Sequence, residues 1–128
     1  MARKWVLIAD DDQTLRGVFR EALERQGYAT LTCADGYEAF EFARTVVPHL
    51  MILDLRMERA SGGLFLDYLR GSNYPILRQI PVLIVSGYLG EEHGHDEGLN
   101  VIGWIEKPVA LDALLEKVRE VLEAETAQ

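Results

Sequence analysis

The chain has 128 residues, 48% of them hydrophobic, and a formal net charge of -8. That length suits one domain, and we expect residues 1–128 to form a single unit with a core over roughly 4–124 and a polar tail at 125–128. The acidic surface would repel phosphate backbones, which argues against direct nucleic-acid binding and favours a bound cation or a partner with a basic face.

No stretch resembles a signal peptide or a membrane span. Arg3 and Lys4 precede an apolar run of only Trp5 to Ala9, and no apolar run reaches the ~20 residues that a span needs. The single cysteine, Cys33, cannot form an internal disulfide, and we expect it to be a small buried side chain. We therefore expect a cytoplasmic protein that does not enter a membrane.

Strand-like and helix-like patterns alternate from the start of the chain. Residues 4–9 predict a strand that stops at three aspartates. A helix follows, with apolar residues at helical spacing: Leu15, Val18, Phe19, Ala22 and Leu23. Gly27 ends this helix, and the alternating residues 29–33 predict a second strand with one more polar face.

The third strand is the stretch around which the prediction is built. After a turn at Asp35-Gly36 and a helix over 37–45, residues 50–54 run from four large apolar side chains straight into Asp54. A continuous apolar run is typical of a strand buried on both faces of a parallel sheet. Asp54 would then lie at the strand's carboxyl end, where open α/β sheets bind their ligands.

The second half repeats the alternation. Residues 61–63 open a third helix that residues 71–75 break, and residues 82–86 predict a fourth buried strand. The glycine-rich stretch 87–100 predicts a short fourth helix, and residues 101–105 a fifth strand. A final amphipathic helix carries Leu111, Leu114, Leu115, Val118, Val121 and Leu122, with a polar tail from Glu123. This order predicts an α/β, doubly wound, five-stranded parallel sheet.

Polar side chains follow four of the five predicted strands: Asp10 and Asp11, Asp54, Ser86 and Lys107. A doubly wound sheet would bring them to one edge, where a divalent cation, most simply Mg²⁺, would relieve the repulsion between the carboxylates. A carboxylate beside that cation can attack phosphorus and form an acyl phosphate. Lys107 and Ser86 would then face the oxygens of the transferring group.

These motifs, in order, resemble a receiver domain of two-component response regulators. The resemblance covers about residues 4–124, and its matching segments are 6–12, 34–39, 48–57, 61–62, 81–87 and 107–108. It implies a flavodoxin-like (βα)5 fold with strand order 2-1-3-4-5. It also implies a chemotaxis-regulator-like signalling protein rather than a turnover enzyme. The domain is either a stand-alone receiver or one excised from a longer regulator or hybrid kinase, and the initiator methionine and polar tail favour the stand-alone form.

The resemblance implies a role for each site residue. Asp54 is the phosphoacceptor. Mg²⁺, or Mn²⁺ in its place, is held by Asp11 directly, by Asp10 through the acidic pocket and bound water, by Asp54, and by the backbone carbonyl of Arg56.

Three further roles concern the response to phosphorylation. Ser86 contacts the phosphoryl oxygens, Lys107 pairs with them, and Trp104 occupies the aromatic switch position. The Lys107-Pro108 peptide bond is typically cis in the family.

The same resemblance implies the partners. A sensor histidine kinase or a histidine phosphotransfer protein donates the phosphoryl group, and a downstream protein or effector responds. In this family a homodimer often forms through the face around the fourth helix. The sequence departs from the family at Glu58, where proline is common, at Trp104, usually Tyr or Phe, and at Val109, often aromatic.

Other functions fit parts of the sequence. The motif Asp10-x-Asp12-x-Thr14 resembles the first motif of haloacid-dehalogenase-type phosphatases, with Asp10 as nucleophile and Asp12 as general acid, although 128 residues leave little room for that family's cap. A receiver that binds partners without phosphorylation is the third hypothesis. Asp12 is more simply a helix cap, and residues 93–96, with two histidines, are more simply a solvated loop than a metal site.

Overall fold

One parallel five-stranded sheet organises the protein, in the order β2-β1-β3-β4-β5. The computed structural model describes residues 3–57, 61–87 and 98–124. The strands are β1 (Trp5–Ala9), β2 (Ala29–Cys33), β3 (Leu50–Leu53), β4 (Val82–Ser86) and β5 (Val101–Glu106). The helices are α1 (Gln13–Arg25), α2 (Gly36–Val46), α3 (Gly62–Arg70) and α4 (Leu111–Ala124), with a 3-10 helix over Pro75–Gln79. The predicted doubly wound sheet and its strand order are confirmed.

The core lies on both faces of the sheet because alternate strand residues point to opposite sides. On one face, Val6 and Ile8 pack with α1 and α4. On the other face, Leu7 and Ala9 pack with α2 and α3. All four residues of β3 are buried, which explains its unbroken apolar sequence, and each such side chain contributes about 1.5–3 kcal/mol of burial free energy.

Backbone hydrogen bonds continue past the ends of the strands and position the next residues. The amide of Asp10 donates to the carbonyl of Cys33 (3.1 Å), and the amide of Asp54 donates to the carbonyl of Ala9 (2.9 Å). The amide of Lys107 donates to the carbonyl of Ser86 (2.9 Å). Residues from β1, β3, β4 and β5 therefore meet at one edge of the sheet.

The helix ends follow the sequence signals with one correction. Asp12 caps α1 by accepting from the amide of Leu15, and Gly27 has the expected positive φ of 96°. The prediction that Asp35-Gly36 is only a turn was wrong. Asp35 is buried and caps α2, accepting from the amides of Tyr37 and Glu38, because a carboxylate at that position satisfies two amides of the first turn.

Other differences concern segments too short or too polar to show periodicity. The sequence patterns do not predict the 3-10 helix over Pro75–Gln79, and α4 continues through Glu123 to Ala124, so the polar tail does not begin at Glu123. The predicted fourth helix falls mostly on residues 88–97, outside the described residues, as does the tail from 125. Among the helices of the described ranges, none has the length and apolarity to cross a membrane.

Candidate functional site

Three carboxylates meet at the edge where β1 and β3 end. Asp10, Asp11 and Asp54 each offer an oxygen within 4.8 Å of the others. Asp10 and Asp54 are 2% and 4% exposed, whereas Asp11 is open to solvent. The structure thus places an acidic pocket of three carboxylates, two buried and one exposed, at the edge of the sheet where the sequence predicts the candidate site.

Lys107 bridges the two buried carboxylates. Its Nζ lies 2.8 Å from Oδ2 of Asp10 and 2.9 Å from Oδ2 of Asp54. Burial would lower the pKa of Lys107, but its hydrogen bonds to Asp10 and Asp54 outweigh that effect and raise the pKa. Among the described residues, Lys107 is therefore the ammonium that contacts this cluster of three carboxylates, and the carboxylates outnumber it.

The pKa of Asp10 is raised in this environment. Desolvation raises the pKa of the Asp10 carboxyl, and the repulsion of Asp54 adds to the effect. Hydrogen bonds from Lys107 and from the amide of Asp12 act in the opposite direction and do not cancel it. A divalent cation would relieve this repulsion, and a set of carboxylate oxygens is what Mg²⁺ prefers in proteins. The residues present fit such an ion.

Both oxygens of Asp54 have a donor. Oδ1 accepts from the amide of Arg56 (3.0 Å), and Oδ2 accepts from Lys107. Asp10 is held in the same manner, with Oδ1 accepting from the amide of Asp12 (2.9 Å) and Oδ2 facing Lys107. The two carboxylates are therefore oriented before any ligand arrives, which lowers the cost of ordering them on binding.

Gly62 packs directly against the backbone of Asp54. A Cβ added to Gly62 would lie 2.2 Å from the carbonyl oxygen of Asp54 and 2.8 Å from the Cα of Leu55. The amide of Gly62 donates to the carbonyl of Leu55 (3.0 Å), and Ser61 caps α3 through the amide of Leu64. The first turn of α3 therefore supports the segment that carries Asp54. The motif at 61–62 is visible in the sequence, but its steric role is seen only in the structure.

The remaining predicted residues lie on β4 and β5. Ser86, which is 0% exposed, ends β4 opposite Glu106, next to Lys107. Trp104 pairs with Ile84 and is half-buried against the cluster on the α2 and α3 face. The Lys107-Pro108 bond is cis, as expected. Glu58 and the histidine-containing stretch 93–96 lie outside the described residues.

The sequence interpretation missed Arg16. Its Nη1 donates to the backbone carbonyl of Asp10 (2.6 Å), six residues earlier in the chain. An arginine on an amphipathic helix is ordinarily assigned to the solvent-exposed face. The contact of Arg16 with the residue that follows β1 becomes visible only in the three-dimensional structure.

Comparisons with known proteins agree with this geometry. The profile of the family "Response regulator receiver domain" matches residues 6–119. The polar-differentiation response regulator DivK of Brucella anthropi is 29% identical over 121 residues, covering 93% of this chain and 96% of its own length.

Two solved structures are similar in fold. Chemotaxis protein CheY4 of Vibrio cholerae has a TM-score of 0.82 and 27% identity, covering 94% of this chain and 100% of its own. The receiver domain of sensor histidine kinase PA1611 from Pseudomonas aeruginosa, which holds a magnesium ion in its active site cleft, has a TM-score of 0.81 and 18% identity, covering 94% and 98%. With its sheet order, its acidic pocket and a profile match over most of its length, the chain belongs to the family of response regulator receiver domains, which act in two-component signalling.

Proposed function

We propose that Asp54 accepts a phosphoryl group from the phosphohistidine of a sensor histidine kinase or a histidine phosphotransfer protein, in a Mg²⁺-dependent reaction that changes the affinity for a downstream protein. The observation that carries this proposal is the bridge of Lys107 between Asp10 and Asp54, with Asp11 open beside them. An aspartate that only ended the strand would need none of these partners.

The chemistry follows from the groups around Asp54. A carboxylate oxygen of Asp54 attacks phosphorus, the P–N bond breaks, and its electron pair returns to the imidazole nitrogen. Lys107, already 2.9 Å from Asp54, can pair with a phosphoryl oxygen without a large movement. Because both Asp54 oxygens already accept hydrogen bonds, the nucleophile is oriented before the phosphohistidine protein binds.

The cation would be held by Asp11, by Asp10 through bound water, by Asp54 and by the backbone carbonyl of Arg56, with Mn²⁺ as a substitute for Mg²⁺. When bound, it would neutralise the charge that builds on the transferring oxygens. Support comes from the oxygen-rich donor set, from the raised pKa of Asp10, and from the magnesium ion held by the Pseudomonas receiver.

The signal would leave the site through β4 and β5. Ser86 and Trp104 lie on these neighbouring strands, so a change at the Ser86 hydroxyl can be transmitted to the indole ring across the Ile84–Trp104 pair. Phosphorylation would bias two pre-existing states rather than create a new one. The protein would act in the cytoplasm as a switch that is modified once per signal, not as a turnover enzyme.

The test is phosphorylation by a small acyl-phosphate donor, followed by intact mass. Wild type should gain one phosphoryl group with Mg²⁺ and none with excess chelator. Asp54→Asn should gain none. The matched control is Asp67→Asn on α3, whose partner is the surface residue Arg70, and it should behave as wild type.

Two outcomes would replace the proposal. Equal gain of mass in Asp54→Asn would exclude Asp54 as the acceptor. Repeated release of phosphate from a phosphomonoester, lost in Asp10→Asn but kept in Asp54→Asn, would favour the phosphatase reading instead.

A further inference from the structure

Arg16 connects the first helix to the strand end that carries the acidic pocket. From α1 its guanidinium reaches back to the backbone carbonyl of Asp10, with 2.6 Å between Nη1 and the oxygen. The side chain is half-buried, and the carbonyl belongs to the residue immediately after β1. A charged donor on a neutral carbonyl is among the stronger hydrogen bonds of a protein.

With this contact, every polar group of Asp10 has a partner. The amide of Asp10 donates to the carbonyl of Cys33, Oδ1 of Asp10 accepts from the amide of Asp12, and Oδ2 of Asp10 faces Lys107. The carbonyl is the remaining polar group of the residue, and Arg16 is its partner. The backbone of residues 10–12 thus has anchors in the sheet and in α1, where the amide of Arg16 also donates to the carbonyl of Asp12 (2.9 Å).

Arg16 and Lys107 contact different kinds of oxygen in the acidic pocket. Lys107 occupies carboxylate oxygens of Asp10 and Asp54 that a cation would use. Arg16 contacts a carbonyl oxygen of Asp10 and therefore does not compete with a cation for the carboxylate oxygens. A cation could therefore enter without displacing Arg16, and the contact would persist through binding.

We propose that Arg16 is a positioning residue for the cation site, acting through the carbonyl of Asp10 to keep the Asp10 and Asp11 carboxylates in place. The inference rests on the proposed Mg²⁺ dependence. Its effect would be strongest on Asp11, whose exposed side chain takes its direction from the backbone between Asp10 and Asp12. Partners that orient metal ligands typically account for about 10–100-fold in affinity.

The test is the dissociation constant for Mg²⁺, measured by titration calorimetry on the unphosphorylated chain. Arg16→Gln should weaken Mg²⁺ binding about tenfold, because glutamine is too short to donate to the same carbonyl. Arg16→Lys should retain most of the affinity, since an ammonium can reach it. The matched control is Arg20→Gln, one turn further along α1, where the guanidinium is exposed and its Nε lies 4.0 Å from Glu24; it should change the constant less than twofold.

Circular dichroism and the urea midpoint of each variant, taken without Mg²⁺, separate positioning from unfolding. Weakened binding in a folded Arg16→Gln protein, with rescue by lysine, supports the proposal. Wild-type affinity in Arg16→Gln while Asp11→Asn loses binding would overturn it and leave the proposed function intact. Equal weakening in Arg16→Gln and Arg20→Gln would overturn it too, since only net charge would matter. A wild-type chain that binds no Mg²⁺ would count against both proposals.

Discussion

The contact between Gly62 and the backbone of Asp54 makes a sharp prediction. In Gly62→Ala the new methyl carbon would lie 2.2 Å from the carbonyl oxygen of Asp54 and 3.0 Å from its carbonyl carbon. An ordinary contact requires about 1 Å more, and the obstructing atoms are backbone, which cannot rotate away. Either the first turn of α3 moves, which disturbs the Gly62–Leu55 hydrogen bond, or the acceptor segment moves. Overpacking of this kind costs about 1–3 kcal/mol.

The functional cost should exceed the stability cost. A displacement of about 1 Å at a reacting group can lower a rate about 100-fold. We therefore expect Gly62→Ala to lose about 2 kcal/mol of unfolding free energy and to be phosphorylated about 100-fold more slowly. Urea denaturation followed by tryptophan fluorescence gives the first quantity, and a time course of intact mass with a small acyl-phosphate donor gives the second.

The matched control is Gly17→Ala in the middle of α1. Apart from the neighbouring backbone of α1 itself, no atom of the described residues lies within 4 Å of the Cβ position there, so alanine should stabilise the protein by about 0.5–1 kcal/mol through helix propensity. Its phosphorylation rate should not change. If Gly62→Ala proved as stable and as reactive as wild type, the support of Asp54 by α3 would be refuted.

The charges of the pocket give two more predictions. Because burial raises the pKa of the Asp10 carboxyl above its ordinary value of 3.8, the folded state binds this proton more tightly than the unfolded chain does, and stability falls as the pH rises through this range. Asp10→Asn should therefore be more stable than wild type at pH 7 without Mg²⁺, and the difference should vanish in urea melts below pH 3.8; a constant difference at every pH would contradict the assignment. Lys107→Met leaves the Asp10 and Asp54 carboxylates without their ammonium, so it should cost about 3 kcal/mol of unfolding free energy at pH 7, with the loss recovered in acid.

Much of the fold could be predicted because local patterns and tertiary packing agree. The apolar run of β3 predicts a strand buried on both faces. All of its residues are buried in the structure, which explains why no polar side chain interrupts the run. The carboxylates could be predicted as neighbours because parallel strands end at one edge. Neither inference required knowledge of a particular contact.

What the sequence did not reveal depends on single contacts between distant elements. Asp35 resembles an ordinary turn residue in the sequence, and only the hydrogen bonds that its buried carboxylate accepts from the amides of Tyr37 and Glu38 show that it caps α2. Arg16 has the spacing of any solvated helical arginine, yet it reaches a strand end. From the sequence alone, Gly62 could be interpreted as a flexible position. In the structure, the close approach of the Asp54 carbonyl explains why the residue has no side chain. Contacts of this kind produce no periodic pattern in the sequence.

The most direct test of the central claim is to locate the phosphoryl group itself. Wild-type protein is phosphorylated with Mg²⁺ and a small acyl-phosphate donor, the acyl phosphate is reduced with borohydride, and the modified residue is identified by tandem mass spectrometry. The account predicts conversion of Asp54 alone to homoserine, with Asp10 and Asp11 unchanged. Conversion of Asp10 or Asp11 with Asp54 intact would contradict it.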